Sequence, residues 1–246
     1  ELCFFIANID KFSHGGYVSI IVAGILIFIM SVWYLGKKIR KNYTEFVKLK
    51  DYVGVISDLS NDESIAKYST NLIYLTNAQN KDEVESKIIY SLLYKRPKRA
   101  DNYWMLHVNV LDEPYGMEYQ TKKISDNITR VDFYLGFRVA PKISILFKKV
   151  LDDLTCSGEI NPMSTYDSLK RNKVFGDLKY VIIEKVITYD NELPWYESII
   201  LDAYALIRKN SLSEEKAFGL DNSSVKIEYY PMIIHPKPTI ALKRRL

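Results

Sequence analysis

The feature that most constrains this chain is an uncharged apolar run from Gly16 to Leu35, directly followed by the basic segment Gly36 to Lys41. An α-helix rises about 1.5 Å per residue, so these 20 residues reach about 30 Å, the thickness of the hydrocarbon core of a bilayer. The alternatives are a buried helix of a soluble core, which usually keeps a polar stripe, and a cleavable signal peptide, which carries its cations before the run. The run therefore predicts a transmembrane α-helix over residues 16–35.

The cations that follow the run predict its orientation. Lysine and arginine are enriched on the cytoplasmic side of a span, whereas the other flank has only Asp10 balanced by Lys11. Tryptophan and tyrosine prefer the headgroup layer. The predicted membrane-interface residues, with lipid as their partner, are Trp33, Tyr34, Lys37, Lys38, Arg40 and Lys41. Everything after residue 41 is expected in the cytoplasm.

The residues before the run predict further spans. Residues 1–8 are mostly apolar but too short to cross a bilayer, so we interpret them as the end of a preceding transmembrane helix. Residues 9–15 then form a short outer loop. The chain is expected to be the tail of a larger multi-pass membrane protein, with the remaining transmembrane helices as its partners.

The overall composition excludes two protein classes for the rest of the chain. Charged residues make up 26% and the net charge is only +4, so neither a disordered segment nor a strongly basic nucleic-acid binder is expected. The two cysteines, Cys3 and Cys156, do not make a disulfide framework.

The hydrophobic periodicity predicts a basic juxtamembrane and linker helix over residues 36–67, followed by a cytosolic α/β domain with a mixed sheet over residues 68–246. In the linker, Phe46, Leu49, Val53 and Ile56 repeat at helical spacing. Strands are predicted over residues 70–76, 103–112, 117–124, 128–137, 179–187 and 224–230. Helices are predicted over residues 80–97, where Asn80 and Glu83 form a capping box, and over residues 142–154 and 197–209. Residues 155–177 remain unassigned.

Enzyme chemistry has no recognisable motif in this sequence. There is no GxSxG, P-loop, GxGxxG or HExxH pattern, and Cys156 has no activating base in its neighbourhood. His14, His107 and His235 are too widely spaced for a zinc site. We predict no catalytic residue and no metal site, and we expect His107 to be a sheet residue with a local hydrogen-bond partner.

A basic cluster suggests one ligand site. One hypothesis is that this cluster binds a nucleotide. The residues assigned to phosphate binding and base stacking are Lys95, Arg96, Lys98, Arg99 and Tyr103. Against it, Asp82 and Glu83 occupy the predicted helix start and the preceding loop has no glycine. A solvated face or a lipid-headgroup contact remains the alternative.

The start of the chain resembles a known family. Its pattern is carried by Glu1, Phe4, Phe5, Ala7, Asn8, Lys11, Gly15, Gly16, Tyr17, Met30 and Trp33. This spacing resembles the KUP/HAK/KT potassium uptake permeases. Similar segments follow at 135–141, 194–210 and 218–228, although Val139 and Ala140 depart from the family pattern. The ending also lacks the family's proline and arginine.

The resemblance implies a K+/H+ symporter of about twelve spans that imports potassium, with residues 16–35 as its last span. The family's ion-binding residues lie on earlier spans, so none is assigned here and no cofactor is expected in this segment; potassium and protons are transported ions. The cytosolic domain would serve assembly or regulation of the permease. The alternative is a membrane-tethered sensor of a cyclic dinucleotide or nucleotide. The 19 tyrosines also leave a homodimer open.

Overall fold

The computed structural model describes residues 16–159, 166–172, 174, 176–187, 194–220 and 224–232. The predicted helix end and outer loop at residues 1–15 lie outside these residues. The described residues belong to two compact units. Residues 16–43 and 194–211 form the first unit, and those between 44 and 187 and between 212 and 232 form the second.

The first unit contains two helices, α1 (Tyr17–Asn42) and α6 (Trp195–Lys209). Helix α1 is long and apolar enough to cross a membrane, and only 6% of its most apolar window is buried. Phe28 and Met30 expose 63% and 70% of their surface. A surface of this kind is stable in lipid, so the predicted transmembrane helix is confirmed. Helix α1 continues through the basic segment to Asn42.

The second unit is built on a six-stranded mixed sheet. Its strands are β2 (Lys67–Leu75), β4 (Arg99–Leu111), β5 (Met117–Lys123), β6 (Ile128–Gly136), β7 (Leu178–Ile187) and β8 (Val225–Met232). They are ordered β5-β6-β4-β2-β7-β8. All neighbours pair in parallel except β5, which is antiparallel to β6. The predicted α/β domain with a mixed sheet is therefore confirmed.

Helices cover both faces of this sheet. One apolar cluster joins it to α2 (Val53–Asn61) and α3 (Ser86–Ile89), and α3 continues as a π-helix over Tyr90–Lys95. A second cluster joins the opposite face to α4 (Ile143–Cys156), where the Trp104 and Phe147 rings lie 5.1 Å apart. The short helices α5 (Asp167–Arg171) and α7 (Glu214–Ala217) complete the described α-helices.

The continuous linker helix predicted over residues 36–67 is wrong in its middle. Strand β1 (Phe46–Lys48) pairs antiparallel with β3 (Glu83–Glu85), and a 3-10 turn over Leu49–Tyr52 leads into α2. Leu49 and Ile56 are buried as their spacing predicted, but Phe46 lies in a strand. Pairing with β3 supplies backbone hydrogen bonds between distant segments, which local periodicity does not show.

The predicted capping box at Asn80 is also wrong. The Asn80 side chain accepts a hydrogen bond from the backbone amide of Asp82 at 3.2 Å, so these residues form a turn. The helix begins only at Ser86. Arg130 holds the turn, because its guanidinium donates to the carbonyls of Ala78 and Asn80, each at 2.7 Å. The backbone conformation of this turn is therefore fixed by a buried arginine on β6 and not by the sequence of the turn itself.

Candidate functional site

The carboxyl ends of the parallel strands form the best candidate site in the second unit. From β2 the chain crosses to β4 on one side, whereas from β6 it returns to β7 on the other side of β2. Where the order of strands reverses in this way, the connections diverge and leave a crevice beyond the strand ends. In this sheet the crevice is expected beyond β2 and β7.

A cavity of 420 Å³ opens there. Its walls are mostly apolar and include Leu106 and Val108 from β4, Ile182 from β7, and the rings of Phe137 and Phe218. Its polar residues, Thr76, Asn77 and Lys87, come from the end of β2 and from α3. An apolar cavity with few polar groups is the usual form of a small-molecule site.

The polar groups of the cavity are arranged around the buried carboxylate of Glu85. The Thr76 hydroxyl donates to Oε2 at 2.6 Å, and the Asn77 amide donates to Oε1 at 3.0 Å. The Lys87 ammonium donates to the Ile183 carbonyl at 3.1 Å and lies 3.9 Å from Glu85 Oε1. Because Glu85 balances the charge of Lys87, the cavity offers hydrogen bonds without a net charge.

His107 supports the same strand end from β4. Its Nδ1 lies 2.8 Å from the Thr76 carbonyl, and its Nε2 lies 3.1 Å from the Asn109 side chain. A carbonyl oxygen only accepts, so Nδ1 carries a proton toward Thr76, while Nε2 lies beside Asn109 Oδ1. The prediction that His107 is a sheet residue with a local hydrogen-bond partner is confirmed.

The five residues of the nucleotide hypothesis do not form one surface. Lys95 donates to the Tyr229 carbonyl at 3.1 Å, and Arg96 is exposed. Arg99 donates to the carbonyls of Ser60 and Ile65. Tyr103 is fully buried, and its hydroxyl donates to the Lys98 carbonyl at 3.0 Å. Burial raises the pKa of Tyr103 to about 12.

Lys98 belongs to a buried polar network instead. Its ammonium lies 3.2 Å from Glu228 Oε1 on β8 and also donates to Ser91 on the π-helix. The Ser91 hydroxyl donates to Glu228 Oε2 at 2.6 Å and lies 3.2 Å from the Tyr74 hydroxyl. Burial lowers the pKa of Lys98, and the Glu228 carboxylate opposes that shift. Lys98 and Glu228 therefore join the π-helix to the edge strand.

The predicted membrane-interface residues lie in the first unit, where α1 meets α6. The rings of Trp33 and Tyr204 are 5.2 Å apart, and a Cβ at Gly36 would lie 2.5 Å from the Tyr204 ring. The Arg40 guanidinium lies 5.6 Å from the centre of that ring, and the Lys37 ammonium 5.2 Å from that of Trp33. Tyr34, Lys38 and Lys41 are exposed. The structure thus brings Trp33 and Arg40 together on Tyr204, which sequence reasoning missed.

Two features of the sequence could have predicted the helix contact and the cavity. Gly36 interrupts a run of bulky side chains in the middle of a helix, and such a glycine often marks a close approach of another element. Thr76 and Asn77 directly follow a buried strand, which is where ligand-binding groups of parallel sheets gather. Tyr204 had no local signal, because its partner is more than 160 residues away in the chain.

Comparisons with known proteins agree with the two-part architecture. A family model described as the K+ potassium transporter integral membrane domain matches residues 1–38, and one described as the K+ potassium transporter C-terminal domain matches residues 69–238. No solved structure matches the chain.

Curated relatives match almost the whole chain. A probable potassium transport system protein Kup from Flavobacterium johnsoniae is 53% identical over 99% of this chain, and one from Cytophaga hutchinsonii is 48% identical over 99%. A Kup protein from Clostridium perfringens is 34% identical over the same share. In each case the chain spans 37% of the relative's length. With a C-terminal domain match over more than half of its residues and an adjoining membrane-domain match, this chain belongs to the Kup family of potassium transporters, as its opening residues predicted.

Proposed function

We propose that this chain acts as the C-terminal part of a potassium uptake permease, a K+/H+ symporter of the cell membrane. The observation that carries the proposal is the order of the two family matches, the membrane domain ending at residue 38 and the C-terminal domain beginning at residue 69. Helix α1 ends between these matched regions, at Asn42. The relatives are named as probable potassium transport proteins, and potassium is therefore the proposed substrate.

The chain's own span is proposed as a supporting helix rather than as the ion path. Residues 17–35 contain no aspartate, glutamate, lysine, arginine or histidine. Ion and proton paths in membranes use such groups or backbone carbonyls around a cavity, and α1 is an unbroken helix. We therefore place potassium binding on other spans of the permease.

The α/β unit is proposed to regulate or assemble the permease from the cytoplasm. Helix α6 lies in the chain between β7 and β8, yet it packs on α1. The chain therefore connects α6 to β7 at one end and, through α7, to β8 at the other, while the side of α6 packs on α1, the proposed last span. The regulatory role is proposed from this covalent link between the sheet and the helix that packs on α1.

Potassium uptake tests the main proposal. The complete gene product should restore growth of a potassium-uptake-deficient bacterium at low external potassium, and rubidium influx should rise as the external pH falls. An inactive complete product would contradict the permease assignment. Influx that ignores the proton gradient would contradict the symport alone.

The orientation has its own test. A cysteine-reactive, membrane-impermeant label should reach Cys156, which is exposed, only after the cells are opened. The matched control is Cys156→Ser. Labelling of Cys156 in intact cells would place the α/β unit outside and contradict its regulatory role in the cytoplasm.

The cavity favours ligand sensing as a second function within the same permease. It is apolar and charge-balanced, so it suits the base of a nucleotide better than its phosphates, which would remain at the mouth. Calorimetry of the whole chain in detergent with an adenine cyclic dinucleotide and with ATP tests this. Val108→Trp should fill the cavity and abolish the binding heat, whereas the exposed-site variant Val55→Trp should not. No heat at submillimolar ligand, or equal heat in both variants, would remove the hypothesis.

A further inference from the structure

Helix α6 carries opposite charges at its two ends. Glu197 lies in its first turn, and Arg208 and Lys209 lie in its last. The Tyr43 hydroxyl, just beyond the end of α1, donates to Glu197 Oε2 at 3.0 Å. The acidic end of α6 is thus fixed beside the end of α1 that is farther from the apolar run.

The other contacts show that α6 runs antiparallel to α1 and toward the span. Glu197 meets Tyr43, whereas Tyr204 meets Gly36 and Trp33. The two contacts are seven residues apart on each helix, which is a rise of about 10 Å, so the helices stay in step over this stretch. One further turn, about 6 Å, brings Arg208 to the level of Trp33, at the end of the apolar run.

The last turn of α6 has the composition of a helix at a bilayer surface. Leu206 exposes 69% of its surface, and it lies on the side of the helix away from the buried Tyr204. Two cations, Arg208 and Lys209, follow it after Ile207, and residues 203–211 contain no aspartate or glutamate. A helix end that presents an apolar side chain together with cations is suited to contact with lipid at a bilayer surface.

Helix α1 adds a third cation at the same level. The Lys37 ammonium lies over the Trp33 ring, which itself contacts Tyr204. Arg208 also has a contact within the protein. A guanidinium has five N–H donors and can contact more than one partner at the same time. Long side chains such as these extend along apolar surface and hold their charge in the headgroup region.

We propose that the last turn of α6 contacts the bilayer and, together with Lys37, binds the phosphate of an anionic phospholipid headgroup. This inference depends on α1 spanning the membrane but not on potassium being the transported ion. The proposed surface, named here the lipid-contact turn, consists of Leu206, Arg208, Lys209 and Lys37. Its consequence is that α6 rests on the membrane as well as on α1.

Lipid retention in defined nanodiscs tests the proposal. The whole chain is placed in phosphatidylcholine discs containing a minor fraction of phosphatidylglycerol, and the lipids that stay bound are counted by native mass spectrometry. The double variant Arg208→Gln with Lys209→Gln should bind phosphatidylglycerol about 30-fold more weakly, since two cations near an anionic surface are removed. The control, Lys48→Gln with Lys226→Gln, removes two exposed lysines of the other unit and should retain the lipid as the wild type does. Equal retention by the two double variants would overturn the proposal.

A second measurement tests the depth of the turn without removing any charge. In a cysteine-free background, an environment-sensitive dye at Leu206→Cys should be quenched by nitroxide-labelled lipid, and the same dye at Asp58→Cys should not. Inorganic phosphate should not displace phosphatidylglycerol, because the site is proposed to need the headgroup held at the surface. An unquenched dye at position 206 would contradict the membrane contact, and displacement by free phosphate would contradict the lipid as its occupant.

Discussion

The two units of this protein use apolar and charged side chains in opposite ways. In α1, large apolar side chains such as Phe28 and Met30 are exposed, and the helix meets α6 through Gly36. In the α/β unit, apolar side chains are buried on both faces of the sheet, and charged ones are buried with them. A helix in lipid gains little from burying apolar surface, so close approach decides its packing. A domain in water gains from burial, but each buried charge then needs a partner.

The sheet of the α/β unit carries two such buried pairs. On β6, Arg130 Nε donates to Asp132 Oδ1 at 2.9 Å. Lys98, directly before β4, forms an ion pair with Glu228 on β8. Both pairs have additional hydrogen bonds to backbone or serine groups. Pairs with such bonds fix which segments meet, even where an apolar replacement would be equally stable.

The largest expected effect comes from breaking the Lys98–Glu228 pair. Glu228→Ala should lower the free energy of unfolding of the α/β unit by about 3–5 kcal/mol, because Lys98 is left as an unpaired buried charge. Urea unfolding of the whole chain in detergent, followed by the fluorescence of the buried Trp104, measures the change. The double variant Lys98→Met with Glu228→Leu should recover most of the loss. A loss below about 1 kcal/mol in the single variant would indicate that water reaches Lys98.

A smaller effect is expected where the helices of the first unit approach each other. In Gly36→Val the new Cβ would lie 2.5 Å from the Tyr204 ring, and such a clash costs about 1–3 kcal/mol if the neighbours shift. A short bifunctional cross-linker between Tyr43→Cys and Glu197→Cys, in a background without native cysteines, reports the pairing. Cross-linking should fall in Gly36→Val and stay unchanged in Gly24→Val, where no atom lies within 4 Å. Equal yields in both would mean that the glycine is not needed for packing.

The smallest effect concerns pH and separates the interior of the α/β unit from its surface. The pKa of Tyr103 is raised to about 12 in the folded chain, against about 10 when unfolded. The unfolded state therefore loses its proton first, so the contribution of Tyr103 is fully present below about pH 10 and is lost as the pH rises toward about 12. At neutral pH, Tyr103→Phe should lower the free energy of unfolding by about 1 kcal/mol, because the hydrogen bonds of the hydroxyl are lost. At alkaline pH its free energy of unfolding should fall less steeply than that of the wild type.

Denaturant unfolding at a series of alkaline pH values measures this slope. Tyr94→Phe, which changes an exposed tyrosine, is the control and should follow the wild type. Burial also raises the pKa of Tyr74 and Tyr180, so some alkaline loss remains in every variant. Parallel curves for Tyr103→Phe and the wild type would contradict the assignment of the slope to Tyr103.

Local patterns predicted the elements that form by local rules. The strand predicted over residues 128–137 corresponds to β6, and the helix predicted over residues 142–154 corresponds to α4, because alternation and helical spacing each record which side of an element is buried. The same rules failed at Phe46 and Asn80. At both positions a distant segment, β3 in one case and Arg130 in the other, supplies the hydrogen bonds that decide the backbone.

The candidate sites show the same division. The run of basic residues from Lys95 to Arg99 suggested one surface, but the turn before β4 sends Lys98 inward to Glu228 and Arg99 to the backbone of residues 60 and 65. The cavity lining comes from four strands and two further segments, so no single stretch of sequence contains it. Likewise, helix α6 was predicted correctly as a helix, but its sequence does not say that it packs on α1.

The sequence by itself determined the membrane helix, the mixed α/β sheet and the family, because each depends on patterns within a few tens of residues. Only the tertiary structure decided which charges are buried, where the cavity opens, and that α6 packs on α1. Those outcomes depend on side chains from distant segments satisfying one another at close range, and the free energy of such contacts exists only after the chain has folded.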